Sequence, residues 1–228
     1  MAGTLRVRKN MPCIEGLIIS AGFSGRMKQF KPLLNIDGVP FLLGIILKLS
    51  RVCRKIRVIT GYRVDEIERA VEQWFSQPPD KSWLETAGVP EISWADISQK
   101  ISLTLNPDYP KGMFTSLQTG LRQVRHCDWT LYHFVDQPQI PPEFYLSFTG
   151  RLNSNANWIQ PRYRGRGGHP LLLHRSVFGE IIRSESDTTL HTLSQLPVFR
   201  KAFWDCPFAE VLQNFNTPTD VVNMGEAE

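Results

Sequence analysis

Short extended runs alternate with helical periodicities through the first half of the chain, and this alternation limits the fold more than any other feature of the sequence. Leu17–Ile19 contains no polar residue, as a strand buried on both faces requires. Gly38-Val39-Pro40 leads into a helix with Pro40 near its first turn, and Phe41, Leu42, Ile45, Ile46 and Leu49 make the buried stripe. Ile56–Thr60 is a second strand, ended by Gly61. Asp65 and Glu68 have capping-box spacing before a helix whose apolar face is Val64, Ile67, Val71 and Trp74. Ile101–Leu105 is a third strand, Leu117, Leu121 and Val124 mark a helix over roughly 114–125, and Leu131–Val135 is a fourth strand with Asp136 at its end. Strands alternating with helices predict an α/β fold in three layers, a mainly parallel sheet with helices on both faces. Ligands of such sheets sit at the carboxyl ends of the strands. The loop after Ile19, the loop around Asn106–Ser116 and Asp136 all lie there.

Residues 76–99 carry three prolines and two tryptophans without a period, and read as an excursion holding one short strand. Pro161–Gly168 reads as a basic, glycine-rich loop feeding a strand at "GGHPLLL". Helices follow near 175–183 and 188–196, then extended runs near Phe199–Trp204 and Ala209–Leu212. With no internal repeat and no low-complexity linker, residues 1–228 are expected to form a single domain.

The formal charge of +4, from 26 Lys+Arg against 22 Asp+Glu, is well short of a polycationic nucleic-acid binder. No run of apolar residues is long enough for a transmembrane helix or a signal peptide, so a cytoplasmic protein with no membrane partner is expected. The 4 cysteines, Cys13, Cys53, Cys127 and Cys206, are scattered and form no CxxC pair, which points to reduced core thiols rather than zinc.

The stretch "LIISAGFSGRMKQFKPLL" leaves the core, exposes glycines and brings in Arg26, Lys28 and Lys31 before apolar packing resumes at Leu33-Leu34. Backbone N–H groups of such a turn make an anion site, with Arg26 as a fork and Lys31 as a point charge. A strand-to-helix crossover with solvated lysines fits the same composition. It is neither a Walker loop nor a dinucleotide fingerprint.

The order Gly22, Ser24, Arg26-Met27, Lys31, Leu33-Leu34 resembles the signature of the MobA-like nucleotidyltransferases, L-A-A-G-x-S-x-R-M-G-x-x-K-x-L-L, with Ser20 in place of an alanine and Lys28 in place of a glycine. "KGMFTSLQTGL", "VDQP", "GHPLLL" and "NFNTPTDV" are similar to further segments of the family in the same order, the third to the molybdenum-cofactor cytidylyltransferase branch. "SESDTTLHTL" keeps Asp187 where that branch carries G-D-x-G-A-R. The resemblance implies a Rossmann-like nucleotidyltransferase fold. It implies a nucleotide half over 17–138 and an acceptor half over 139–222. The expected reaction is Mg²⁺-dependent transfer of a nucleotidyl group from an NTP to a phosphorylated small molecule, with Mn²⁺ as the alternative ion and molybdopterin as the acceptor. Catalysis there is positioning and charge neutralisation. Arg26, Lys31 and Asp136 take the catalytic roles. Ser20, Ala21, Gly22, Phe23, Ser24, Gly25, Arg26, Lys31, Gly112 and Ser116 hold the nucleotide, and the small residues before Gly22 favour CTP. Asp136 and Asn216 supply metal oxygens, although an N-cap for Asp136 and an Asx-turn for Asn216 fit equally from the residues alone. Gly168, His169 and Arg164 face the acceptor, and His169 is expected on an exposed, flexible, cationic segment. A sugar or polyol phosphate is the alternative acceptor, and a non-catalytic nucleotide-binding module the alternative of another class.

Overall fold

The computed structural model describes residues 12–23, 27, 29–78, 81–152, 155–217 and 220. The predicted strands of the first half are present. They are β1 (Ile14–Ile19), β4 (Lys55–Thr60), β5 (Ile101–Leu105) and β6 (Trp129–Phe134), with a small hairpin of β2 (Asn35–Ile36) and β3 (Val39–Pro40) after the first loop. The second half adds β7 (Trp158–Tyr163), β8 (Arg166–Gly167), β9 (Leu171–His174) and β10 (Lys201–Asp205). The described residues form one eight-stranded sheet in the order β10-β7-β9-β6-β1-β4-β5, with β8 paired to β7. β1 is parallel to both β4 and β6, β4 to β5, and β10 to β7; β9 runs antiparallel between β6 and β7.

Two cores confirm the three layers. Along β1, Ile14 and Ile18 enter one cluster while Leu17 and Ile19 enter the other, the alternation a strand imposes. The first face is covered by α1 (Phe41–Leu49), α2 (Val64–Ser76), α4 (Trp94–Lys100) and α6 (Pro142–Thr149), and the second by α5 (Met113–Gln123), α7 (Phe178–Arg183) and α8 (Leu190–Leu193). α1 is buried almost all round, well beyond its predicted stripe, because the Lys31–Leu33 turn, β3 and α6 also contact it. Among the described residues, no helix is long and apolar enough to cross a membrane.

α5 reaches β1 through Gly120, where an added Cβ would lie 2.3 Å from Cδ1 of the fully buried Leu17. Gly120→Val is expected to lower stability by at least about 1–3 kcal/mol, since the overpacking exceeds a helix-propensity gain below about 1 kcal/mol. A shift of the denaturant midpoint to lower concentration checks this; an unchanged midpoint would show that Leu17 has room to move.

Several expectations are corrected. Residues 76–99 hold no strand; they form α3 (Ser82–Thr86) and the start of α4, each too short to show a period. The capping box is not used: α2 begins at Val64 after Arg63 in the left-handed region (φ 55), and Arg63 pairs with Glu66. Pro161–Gly168 is a hairpin, not a loop. β7 and β8 are joined by Arg164-Gly165, both at positive φ (48 and 78), as a two-residue turn of that hand demands. Ala209–Leu212 is a 3-10 helix rather than extended. Cys13 and Cys127 are joined by a disulfide and are not free thiols, because the sheet sets the starts of β1 and β6 side by side with their Cα atoms 4.7 Å apart. Cys53 and Cys206 are free and buried as expected.

Candidate functional site

At the carboxyl ends of β1 and β6 the chain leaves a cleft of about 330 Å³. Ser20, Ala21, Gly22, Phe23 and Lys31 line it from the first loop, Gly112 and Ser116 from the start of α5, and Asp136 from the end of β6. Eight of the residues expected to hold nucleotide or metal therefore meet in one place, although they come from three distant segments. Ser24, Gly25, Arg26 and Lys28 lie outside the described residues.

Each wall has a local cause. Ser20 N–H continues the β1–β4 ladder to Ile59 O (2.9 Å), and Tyr62 N–H donates to Ala21 O (3.1 Å), so the loop leaves β1 on a fixed path. Gly61 permits it: a Cβ there would come within 2.9 Å of Ala21 O and 2.6 Å of the Tyr109 ring. The opposite wall is set by Asn106, a buried residue just past β5. Its Nδ2 donates to Thr115 Oγ1 and Ser116 Oγ, each at 2.9 Å, and its Oδ1 accepts from Asp108 N–H (3.0 Å). Asn106 thereby holds the N-terminus of α5, the positive end of its dipole, against the cleft that Gly112, Met113 and Ser116 line. Asn106 and Tyr109, which lines the cleft, are marked in the sequence only by their place in the loop, and Asn214, also in the lining, opens the segment "NFNTPTDV" without being among the expected site residues.

At the deep end, Lys31 Nζ donates to Asn216 Oδ1 (3.0 Å) and lies 3.6 Å from Asp136 Oδ2. The Lys31 and Asp136 side chains are 12% and 20% exposed, so the pair is sheltered yet reachable. The 214–216 segment is brought there by the Phe215 N–H bond to Asp136 O (2.8 Å) and by Phe215 packing on Phe41. Asp220 then accepts from the Asn216 and Thr217 N–H groups, both at 2.7 Å, so the turn is closed by Asp220 while the Asn216 side chain points at Lys31. Carboxylate and amide oxygens that converge on one cation are a donor set for a hard divalent ion. Mg²⁺ takes one or two carboxylates and completes its shell with water and substrate phosphate. No group of three or more His, Cys, Asp or Glu suited to a metal occurs among the described residues.

The residues expected to face an acceptor are placed differently. Gly168 N–H donates to Pro161 O (2.9 Å) and His169 N–H to Val211 O (3.0 Å). His169 is not on an exposed, flexible segment; its ring packs 4.5 Å from Phe134, which lines the cleft, and burial holds its pKa down at about 4. Arg164 sits at the hairpin tip with its guanidinium 5.2 Å from the Tyr163 ring, away from the cleft lining. His133, behind the sheet end, is also held down to about 3, chiefly by burial, and its ring bonds Phe134 O and Tyr145 Oη. Both histidines bind fewer protons folded than unfolded, so stability is expected to fall as pH drops from about 6.5 toward 4. Denaturant titrations at pH 7 and pH 5 check this; greater stability at pH 5 would contradict neutral burial.

Comparison with known proteins gives the family and the fold. Over 218 residues, 95% of this chain and 97% of the relative, the sequence is 25% identical to a molybdenum cofactor cytidylyltransferase of Escherichia coli strain K12. A nucleotidyl transferase from Methanothermobacter superposes with a TM-score of 0.69 at 18% identity, covering 94% of this chain and 96% of that one. A Mycobacterium tuberculosis H37Rv protein solved in complex with manganese gives 0.65 at 18% identity, covering 95% and 100%. The profile of the MobA-like NTP transferase domain matches residues 16–200, and the chain therefore belongs to that family and is a nucleotidyltransferase.

Proposed function

We propose that the protein transfers a cytidylyl group from CTP to a phosphorylated small molecule, with molybdopterin as the acceptor, and releases pyrophosphate. The observation that carries this is the convergence of Lys31, Asp136 and Asn216 at the deep end of a cleft whose far wall is a helix N-terminus. The cytidylyltransferase that shares a quarter of its residues over nearly the whole chain supports the choice of nucleotide and acceptor. Asp136 and Asn216 would hold Mg²⁺, and the manganese complex of the mycobacterial protein supports a divalent ion in this fold. When bound, the ion neutralises phosphate charge and favours in-line displacement.

The chain's own residues do the rest. The α5 N-terminus and the loop around Gly22 bind the triphosphate, and Arg26 grips it from the loop. Lys31, beside Asp136 and Asn216, supplies positive charge where the α-phosphate becomes most negative. Base selection falls to Ser20, Ala21 and the Gly112–Ser116 turn. His169, neutral at physiological pH, and Arg164 belong to the acceptor side. A sugar or polyol phosphate acceptor is the second reading, favoured by "SESDTTLHTL" in place of the branch's G-D-x-G-A-R.

The division of labour is testable. His169→Ala and Arg164→Ala are expected to raise the acceptor KM or lower kcat while CTP affinity, measured by calorimetry with Mg²⁺, stays near wild type. Loss of CTP binding in His169→Ala with acceptor kinetics untouched would return that segment to a structural role.

A further inference from the structure

Two glutamine amides outside the mechanism join the segment of Asp136 to that of Asn216. Gln137 follows Asp136 directly and is 1% exposed. Its Nε2 donates to Val211 O (3.3 Å) and Gln213 O (3.2 Å). Gln139 Nε2 donates to the same Gln213 O (2.9 Å) and to Glu210 O (3.4 Å). Between the two glutamines, Pro138 O accepts from Lys48 Nζ (2.6 Å), so α1 holds the loop in place. The carbonyls these amides grip stand just ahead of Asn216, and Val211 lies 74 residues beyond Gln137 in sequence. Stability alone does not explain the amides. The Oε1 of each is buried and has no hydrogen-bond partner among the described residues. A buried carbonyl left so is costly, and an apolar side chain of the same length avoids that cost. What an amide adds is a pair of directed N–H donors, which fix the path of the backbone they meet.

We propose that Gln137 and Gln139 are positioning residues: their amides clip the 210–213 carbonyls to the loop after β6 and so set the spacing of the Asp136 and Asn216 oxygens. Groups that orient metal ligands from behind are worth about 10–100-fold in metal affinity. The clip explains how a segment from the far end of the chain presents an oxygen beside Asp136. The Phe215 N–H bond to Asp136 O is its last rung. This inference rests on reading Asp136 and Asn216 as ligands of the divalent ion.

Gln137→Met together with Gln139→Met keeps side-chain length and removes the donors. Calorimetry of CTP binding with and without Mn²⁺ gives the factor by which the ion tightens binding. In the double variant that factor is expected to fall about tenfold, while metal-free CTP affinity stays within about twofold of wild type. Hydrogen exchange at the Phe215 N–H should quicken about tenfold as the segment opens more often. Gln139→Met alone leaves Gln137 on Gln213 O and should lower the ion's factor about threefold, half the loss on a logarithmic scale. This single variant carries the test if the double one does not fold. An unchanged factor in folded variants, even with faster Phe215 exchange, would overturn the positioning role and leave the ligands standing. Equal losses with and without Mn²⁺ would also overturn it, since they report general damage to the cleft. Wild-type protein whose CTP binding ignores Mn²⁺ would overturn the metal reading, and this role with it.

Discussion

Asp136→Asn is expected to lower nucleotidyl transfer by at least about 100-fold, on the scale of losing one electrostatic stabiliser of a transition state. The change keeps the shape of the side chain and removes its charge. Asp136 stands two residues past β6, the central strand in the sheet order, and its carboxylate is held beside Lys31 at 3.6 Å, so the backbone has no reason to move. What is lost is the anionic oxygen that a hard divalent ion needs most. Asn216→Ala should show a milder defect in the same assay, because an amide oxygen is the weaker ligand. Steady-state rates across a Mg²⁺ titration check both. If Asp136→Asn keeps its activity and its Mg²⁺ requirement, the carboxylate serves only the loop.

Lys31→Ala should cost about 10²–10³ in kcat, or about 2.7–4 kcal/mol, by the same scale, and Arg26→Ala a similar factor. Lys31 bonds Asn216 directly, so its removal also frees one contact of the 214–216 segment. That contact is a partly screened charged hydrogen bond, worth on the order of 1 kcal/mol, far less than the catalytic effect. Rate and stability therefore separate: turnover collapses while the thermal midpoint moves by only a few degrees. Lys31→Arg keeps the charge but not the compact ammonium, and partial recovery would show that charge is the main contribution. Wild-type rates in both Lys31→Ala and Arg26→Ala would end the phosphate-cradle reading.

The strands of the first half were legible because each is a short apolar or β-branched run set between helical periods; β1 is buried along its whole length, whereas the edge strand β5 is only half-buried. β5 matched its predicted bounds, and β1, β4 and β6 were found with their ends displaced. The helix pair between α2 and β5 was not legible: α3 has 5 residues and α4 has 7, too few for a 3.6-residue period to repeat. The β7–β8 hairpin was hidden because its turn is Arg-Gly, with an arginine in a conformation that usually selects asparagine or glycine. The Cys13–Cys127 pair spans 114 residues and is adjacent only once β6 is placed beside β1, a fact of topology and not of spacing. The cleft was legible where its lining residues stand in motifs and illegible where other residues only position them. Lys31, Asp136 and Ser116 stand in recognisable motifs, whereas Asn106, which orients Ser116 through one amide, stands in none.

The central claim is that this cleft joins a nucleotide to a phosphate and releases pyrophosphate. The direct measurement is product analysis after incubating the protein with Mg²⁺, each of the four ribonucleoside triphosphates in turn, and molybdopterin or a sugar or polyol phosphate. Pyrophosphate should appear with CTP and molybdopterin together, alongside a cytidylylated product identified by mass, and should be absent when either substrate or Mg²⁺ is withheld. Pyrophosphate with a polyol phosphate instead would keep the chemistry and change the acceptor. No pyrophosphate with any nucleotide and acceptor, from protein that melts cooperatively and binds Mg²⁺–CTP, would contradict the account.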